Sequence, residues 1–199
     1  MTSRDFDREE FLKDRDALSN MSLSELWRLF PVSLVDHRDE WTEQAAEEIA
    51  CLAGLLHDRS PVITHVGSTA IPAICAKPIV DILVELPDLS EPEPLILLME
   101  GHGYICMSIS DGRLSFNKGY TRRGYAGRVF HIHFRKAGDN AEIAFRDYLR
   151  THPEMAREYE KLKLSLLPEF RLDRDGYTDA KGDFVRHILS LSETDRDEA

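Results

Sequence analysis

From Lys77 the chain reads Lys-Pro-Ile-Val-Asp-Ile-Leu-Val-Glu-Leu to position 86, a largely apolar stretch with Asp81 at its middle and Glu85 near its end. Alternate side chains of a strand point to opposite faces. Val80, Ile82, Val84 and Leu86 therefore share one face, and Ile79, Asp81, Leu83 and Glu85 share the other. The pattern predicts a strand over 78–86. A carboxylate inside such a strand is costly unless it is paired, hydrogen-bonded or bound to metal. Just upstream, His65-Val66-Gly67-Ser68-Thr69 ends another short apolar segment in a turn of small residues. Backbone N–H groups exposed by a Gly-Ser turn can hold a phosphate. Together the two features point to a phosphate-and-metal site.

The chain has 199 residues, 42% of them hydrophobic, which suits one domain with an extension. Its formal net charge of −11 argues against bulk nucleic acid or an acidic membrane as partner. A nucleotide in a locally basic pocket remains compatible. Cys51, Cys75 and Cys106 are scattered, with neither zinc spacing nor a disulfide framework. Buried free thiols in a reducing cytoplasm are the simple reading. No signal segment opens the chain, and no apolar run nears the roughly 20 residues of a membrane span.

Residues 1–21 read as a charged extension, either a solvated helix or partly disordered, and 192–199 as a charged tail. Between them, 22–191 reads as one domain. Ser22 caps a short helix with Glu25 three residues on, ended by Pro31. Trp41, Ala45, Ile49, Leu52 and Leu56 recur at helical spacing and predict a helix over 39–57. Strands are expected at 62–66, 104–108, 113–118 and 128–135, and a helix at 95–100. The C-terminal third reads as helices: 143–150, one striped by Met155, Tyr159, Leu162 and Leu166, and one striped from Tyr177 to Leu191.

These residues resemble the GrpB family, also called UPF0157. The first signature is His65-Val-Gly-Ser-Thr-Ala-Ile-Pro-Ala-Ile-Cys-Ala-Lys-Pro-Ile-Val-Asp-Ile-Leu-Val; the second is Phe130-His131-Ile132-His133. Leu26 to Pro31 followed by Trp41, Phe145 to Arg150, Tyr159 to Lys163 and Tyr177 to Lys181 agree, so the resemblance covers roughly 22–191. It implies a nucleotidyltransferase-like α/β (α+β) fold: a mixed sheet flanked by helices, with a C-terminal helical layer. It also implies that Gly67, Ser68 and Thr69 hold a triphosphate and that Asp81 holds Mg²⁺ or Mn²⁺. Asp81 and Ser68 are thereby the candidate catalytic residues.

The chain departs from the superfamily pattern at one position. A second acid is usual two residues after the first, facing the same way about 6.6 Å along the strand. Here that position is Leu83. Glu85 shares the face but lies about 13 Å along the strand from Asp81, poorly placed to share an ion. His131 and His133, two apart on a strand, emerge on one face, and His-x-His is a common metal-binding arrangement. If their strand lies beside that of Asp81, a two-histidine, one-carboxylate site results. The alternative is one histidine packed in the sheet and the other on a carbonyl. Lys77 either neutralises phosphate or pairs with Asp81. Helical Lys and Tyr side chains near the site, Tyr177, Lys181 and Lys163, are candidates for triphosphate and base. Arg122, Arg123 and Arg128 form either a basic rim or a solvated loop. His65 is as readily structural as catalytic, and Tyr159 and Met155 read as core.

Two readings of function follow. One is a nucleotidyltransferase-like enzyme that binds a nucleoside triphosphate with a divalent metal and moves a nucleotidyl group to a small acceptor. The other is a non-catalytic accessory domain for a nucleotide or phosphorylated metabolite, a role that fits the family's fusion to dephospho-coenzyme A kinases. A third, a metal-dependent enzyme of another type, requires Asp81, His131 and His133 to converge.

Overall fold

The computed structural model describes residues 6–110 and 112–197. The ends of the expected extension (1–5) and tail (198–199) lie outside the described residues. One helix of the expected extension, α1 (Arg8–Ser19), is capped by Asp7, whose side chain accepts from the backbone N–H groups of Glu9 and Glu10. The Ser22–Glu25 capping box starts α2 (Leu23–Leu29). The amphipathic stretch becomes α3 (Glu40–Leu55), which buries Trp41, Ala45 and Leu52.

Five strands form one mixed sheet: β1 (Val62–Val66), β2 (Val80–Leu86), β3 (Ile105–Ser110), β4 (Arg113–Thr121) and β5 (Gly124–Lys136). Their order is β1-β2-β5-β4-β3, so β5 enters the middle of the sheet. It runs parallel to β2 and antiparallel to β4. The last strand is longer than expected because Gly124 already pairs with Thr121 across the turn.

Val80, Ile82, Val84 and Leu86 pack with Ile132, Phe134 and Phe116 beneath α3 and α4 (Pro92–Glu100). The opposite face looks toward α5 (Ala141–Thr151), α6 (Pro153–Phe170), α7 (Arg174–Asp179) and α8 (Gly182–Asp197). Their own core joins Phe145, Leu149, Tyr159 and Ile188 to Ile71 and Ile74 of the β1–β2 connection. A third cluster seats Leu18 of α1 and Phe30 on Ile79, Tyr120 and Val129. This is the mixed sheet with flanking helices and a C-terminal helical layer that the sequence predicts. Among the described residues no helix is long and apolar enough to cross a membrane.

One helix is corrected. The stripe from Tyr177 to Leu191 is two helices, because α7 ends at Asp179 and α8 starts at Gly182. Lys181 closes a turn, donating its N–H to the carbonyl of Thr178 at 3.2 Å. Glycine is a poor interior helix residue, and this turn is tight enough to keep the apolar spacing in phase across the break.

Candidate metal and phosphate cleft

The parallel pairing of β2 and β5 sets Asp81 opposite His131 and Leu83 opposite His133. Side chains at paired positions share a sheet face, so an acid and two histidines, distant in sequence, emerge together. Asp81 Oδ1 lies 3.3 Å from His131 Nδ1 and 3.2 Å from His133 Nε2. One ligand atom from each of the three falls within 4.8 Å of the others, so the trio could hold a metal ion. Asp81 keeps 28% of its side chain exposed, so the cluster is reachable from solvent. Burial works to raise its carboxyl, but the hydrogen bonds and charges of both histidines outweigh it and hold the group below the usual carboxylate range. Burial lowers His131, against the pull of Asp81. A neutral imidazole is the form that ligates metal.

His131 is held from behind. Its Nε2 lies 2.8 Å from the Tyr120 hydroxyl, which accepts from Arg174 Nη2 at 2.7 Å; Arg174 Nη1 donates to Tyr125 at 3.1 Å. Tyr120 reaches this face through a break in the β4 register between Lys118 and Tyr120. Lys118 points the other way, donating to Glu48 of α3 at 2.8 Å. The break falls on Gly119, whose φ of +86° is the left-handed conformation glycine permits.

Above the cluster lies a cleft of about 310 Å³. Gly67 and Ser68 line its floor with Asp81, His131 and His133, and Lys77, Lys163, Arg174, Tyr177 and Lys181 line its walls. Gly67 turns the chain out of β1 with a φ of +71°. Lys163 donates to Ser68 Oγ at 3.3 Å and to the carbonyl of Cys75. Lys181 Nζ stands 4.6 Å from the centre of the Tyr177 ring, and Lys77 Nζ 5.8 Å from it. Burial and then the charges of Lys181 and Arg174 push the Lys77 ammonium down to about 7. Burial chiefly lowers Lys163 to about 8 and also lowers Lys181. Four cations thus face one another across a cleft whose only described carboxylates are Asp81 and Asp175. This local excess is the reverse of the chain's overall charge of −11.

The candidates Gly67, Ser68, Lys77, Asp81, His131, His133, Tyr177 and Lys181 come together here, joined by Lys163. Thr69 does not line the cleft; it is buried, with its hydroxyl 2.9 Å from His65 Nε2. His65, lowered to about 4 mainly by burial, braces this turn from beneath. Glu85 is also elsewhere, accepting from Gly138 N–H at 3.0 Å and from Asn140 at 3.4 Å. The arginine rim is corrected: Arg122 pairs with Asp14 and Glu10, Arg123 with Glu10, and Arg128 with Glu47. Those acids lie on α1 and α3, so the three guanidiniums are drawn away from the cleft. Arg174 and Tyr120 belong to the site but carry no sequence signal of it. Only Gly119, a glycine inside a strand, hints at the bulge that turns Tyr120 inward.

A mixed α/β domain with a carboxylate–imidazole cluster under a cationic cleft is thus in place. The GrpB protein family matches residues 31–191, and the chain belongs to that family. The UPF0157 protein PA4798 of Pseudomonas aeruginosa is 37% identical over 75% of this chain, and UPF0157 protein YqkA of Bacillus subtilis 30% over 93%. The chain spans 62% and 54% of the lengths of those two relatives. The crystal structure of the conserved protein GrpB from Enterococcus faecalis superposes with a TM-score of 0.72 at 27% identity, covering 82% of this chain and 99% of that one.

Proposed function

We propose that the cleft binds the polyphosphate of a nucleoside triphosphate, together with a divalent metal ion held by Asp81, His131 and His133, and that the protein transfers a nucleotidyl group to a small acceptor. The carrying observation is the convergence of Lys77, Lys163, Lys181 and Arg174 on a cluster containing one ionised carboxylate. Lysines whose ammonium groups are desolvated and crowded by like charge gain most from a bound polyanion. Gly67 and Ser68 offer backbone N–H and hydroxyl groups at the same floor. The two imidazoles suit Mn²⁺ better than Mg²⁺, which prefers oxygen ligands. When bound, the ion supplies Lewis-acid charge against phosphate oxygens. The chain's own part is to fix the phosphates with four cations and to keep His131 oriented through Tyr120. Its three cysteines are free, Cys75 buried, Cys106 half-buried and Cys51 exposed against the expectation of burial, and unpaired thiols suit a reducing cytoplasm.

Leu83 favours a second reading, in which the domain binds the nucleotide or another phosphorylated metabolite without transferring anything. It stands where a second catalytic acid would, and it is fully buried.

The test is ligand-dependent melting of the wild type and Asp81→Ala with inorganic tripolyphosphate and each nucleoside triphosphate, in Mn²⁺, Mg²⁺, Zn²⁺ or EDTA. A triphosphate-dependent rise that needs metal and Asp81 is expected. A rise with Zn²⁺ or Mn²⁺ alone would transfer the site to metal chemistry of another type. No rise with any phosphate would sink the cleft reading. Release of pyrophosphate on adding acceptor mixtures separates transfer from binding.

A further inference from the structure

A second cavity, of about 540 Å³, adjoins the cleft over β3 and β4, and Arg174 and Asp175 line both spaces. Its volume falls in the range of sites for drug-sized molecules. Trp27, Phe30 and Tyr120 give it aromatic walls, and Met21 lines it from the turn between α1 and α2. Its charges balance: Arg15 pairs with Glu100 at 3.3 Å, and Arg174 is accompanied by Asp175. Where the cleft calls for an anion, this space calls for a neutral ring.

One polar group here lacks a partner. Asn117 of β4 is 9% exposed and lines the cavity, yet its side-chain amide makes no hydrogen bond with any described residue. The amide opens onto the cavity, so a ligand group entering there can take up its donor and its acceptor. A primary amide offers one donor and one acceptor edge side by side, the pattern that reads a nitrogen heterocycle bidentately. The β4–β5 register sets Asn117 opposite His131, on the same sheet face. One strand spacing, about 5 Å, separates Asn117 from His131, and Asp81 lies one strand further, about 10 Å away. A sugar and one phosphate can bridge that gap.

We propose that this cavity binds a neutral, planar nitrogen heterocycle through Asn117, as the ring of the same small molecule whose polyphosphate occupies the cleft. The inference rests on the cleft reading for the polyphosphate, but the ring site can be tested without it.

The experiment is calorimetric titration of the full chain with four uncharged nucleosides, adenosine, guanosine, cytidine and uridine, and separately with inorganic tripolyphosphate. At least one nucleoside is expected to bind with one site per chain and to be displaced by its own triphosphate. Asn117→Leu, close in shape, weakens that nucleoside at least tenfold and leaves tripolyphosphate binding unchanged. Met21→Trp, which fills the cavity from the turn, does the same and decides the matter if Asn117→Leu fails to fold. The proposal is overturned if no nucleoside binds, if both variants bind as the wild type does, or if a nucleoside binds alongside its own triphosphate. Nucleoside binding with no tripolyphosphate binding would keep the ring site and remove the cleft reading alone.

Discussion

The carboxylate of Asp81 fills the space that a Cβ on Gly67 would occupy: such an atom would lie 2.5 Å from Oδ2. The close approach lets the turn and the acid share one floor. Gly67 also holds a φ of +71°, which costs an L residue about 1–2 kcal/mol. Gly67→Ala is therefore expected to lose about 2 kcal/mol or more in urea unfolding and to weaken Mn²⁺ binding at least tenfold, because Asp81 must move. Unchanged Mn²⁺ binding in a destabilised variant would confine Gly67 to a folding role.

Tyr120→Phe removes the hydroxyl that fixes the His131 ring while leaving all three metal-ligand candidates in place. Partners of this kind are worth roughly 10–100-fold in metal affinity. A Mn²⁺ titration followed by melting temperature should show a loss near the lower end of that range, against complete loss in Asp81→Ala. Wild-type affinity in Tyr120→Phe would argue that the cluster does not bind metal through His131.

Lys77 links stability and binding with opposite signs. Its folded-state value of about 7 lies below the ordinary 10.5. Between those values the unfolded chain holds a proton that the folded chain does not, so this group makes stability rise with pH across that window. Lys163, at about 8, acts in the same sense from there upward. Polyphosphate binding needs the protonated ammoniums, so it should weaken as pH rises through 7 and 8. Lys77→Met should be more stable than wild type at pH 6.5, by about 1 kcal/mol, with the difference shrinking toward pH 10. Its affinity for tripolyphosphate should be about tenfold lower near neutrality. Urea unfolding and calorimetry over pH 6.5–9.5 check both arms; a less stable Lys77→Met would refute the assignment.

Asp14 ties α1 to the sheet, accepting from Arg122 N–H at 3.1 Å and from its Nη1 at 2.8 Å, while buried to 7% exposure. Asp14→Ala leaves that backbone donor unpaired and should cost about 1–3 kcal/mol. Since Leu18 and Met21 line the second cavity, removing residues 1–21 should abolish nucleoside binding and spare tripolyphosphate binding. Equal stability of Asp14→Ala and wild type would return the segment to a solvated appendage.

Much of the fold was legible locally. Period-two apolarity predicts β2, a short apolar segment closed by Gly67-Ser68 predicts β1, the Ser22–Glu25 pair predicts α2, and the Trp41 to Leu56 spacing predicts α3. In the site, the lone acid and the His-x-His pair could be read, but their meeting depended on β5 lying beside β2, which no local pattern states. Arg174 sits among Arg171, Asp173 and Asp175, a stretch that reads as any solvated loop. The arginines of 122–128 looked available because the acids that claim them are on α1 and α3, distant along the chain. The neighbours of Thr69 point it at phosphate, whereas its hydroxyl turns back to His65.

The sheet order has a kinetic consequence. His133 follows Asp81 by 52 residues, and β3 and β4 lie between their strands in the chain but outside them in the sheet. Nothing resembling the cluster exists until the non-local β2–β5 pairing closes, and such pairings are slow to form. If that pairing closes after the folding barrier, a metal ion recruited to the finished cluster slows escape from the native state and leaves the folding rate nearly untouched. Binding there would act as a latch on a completed sheet, lengthening the lifetime of the fold without guiding its assembly.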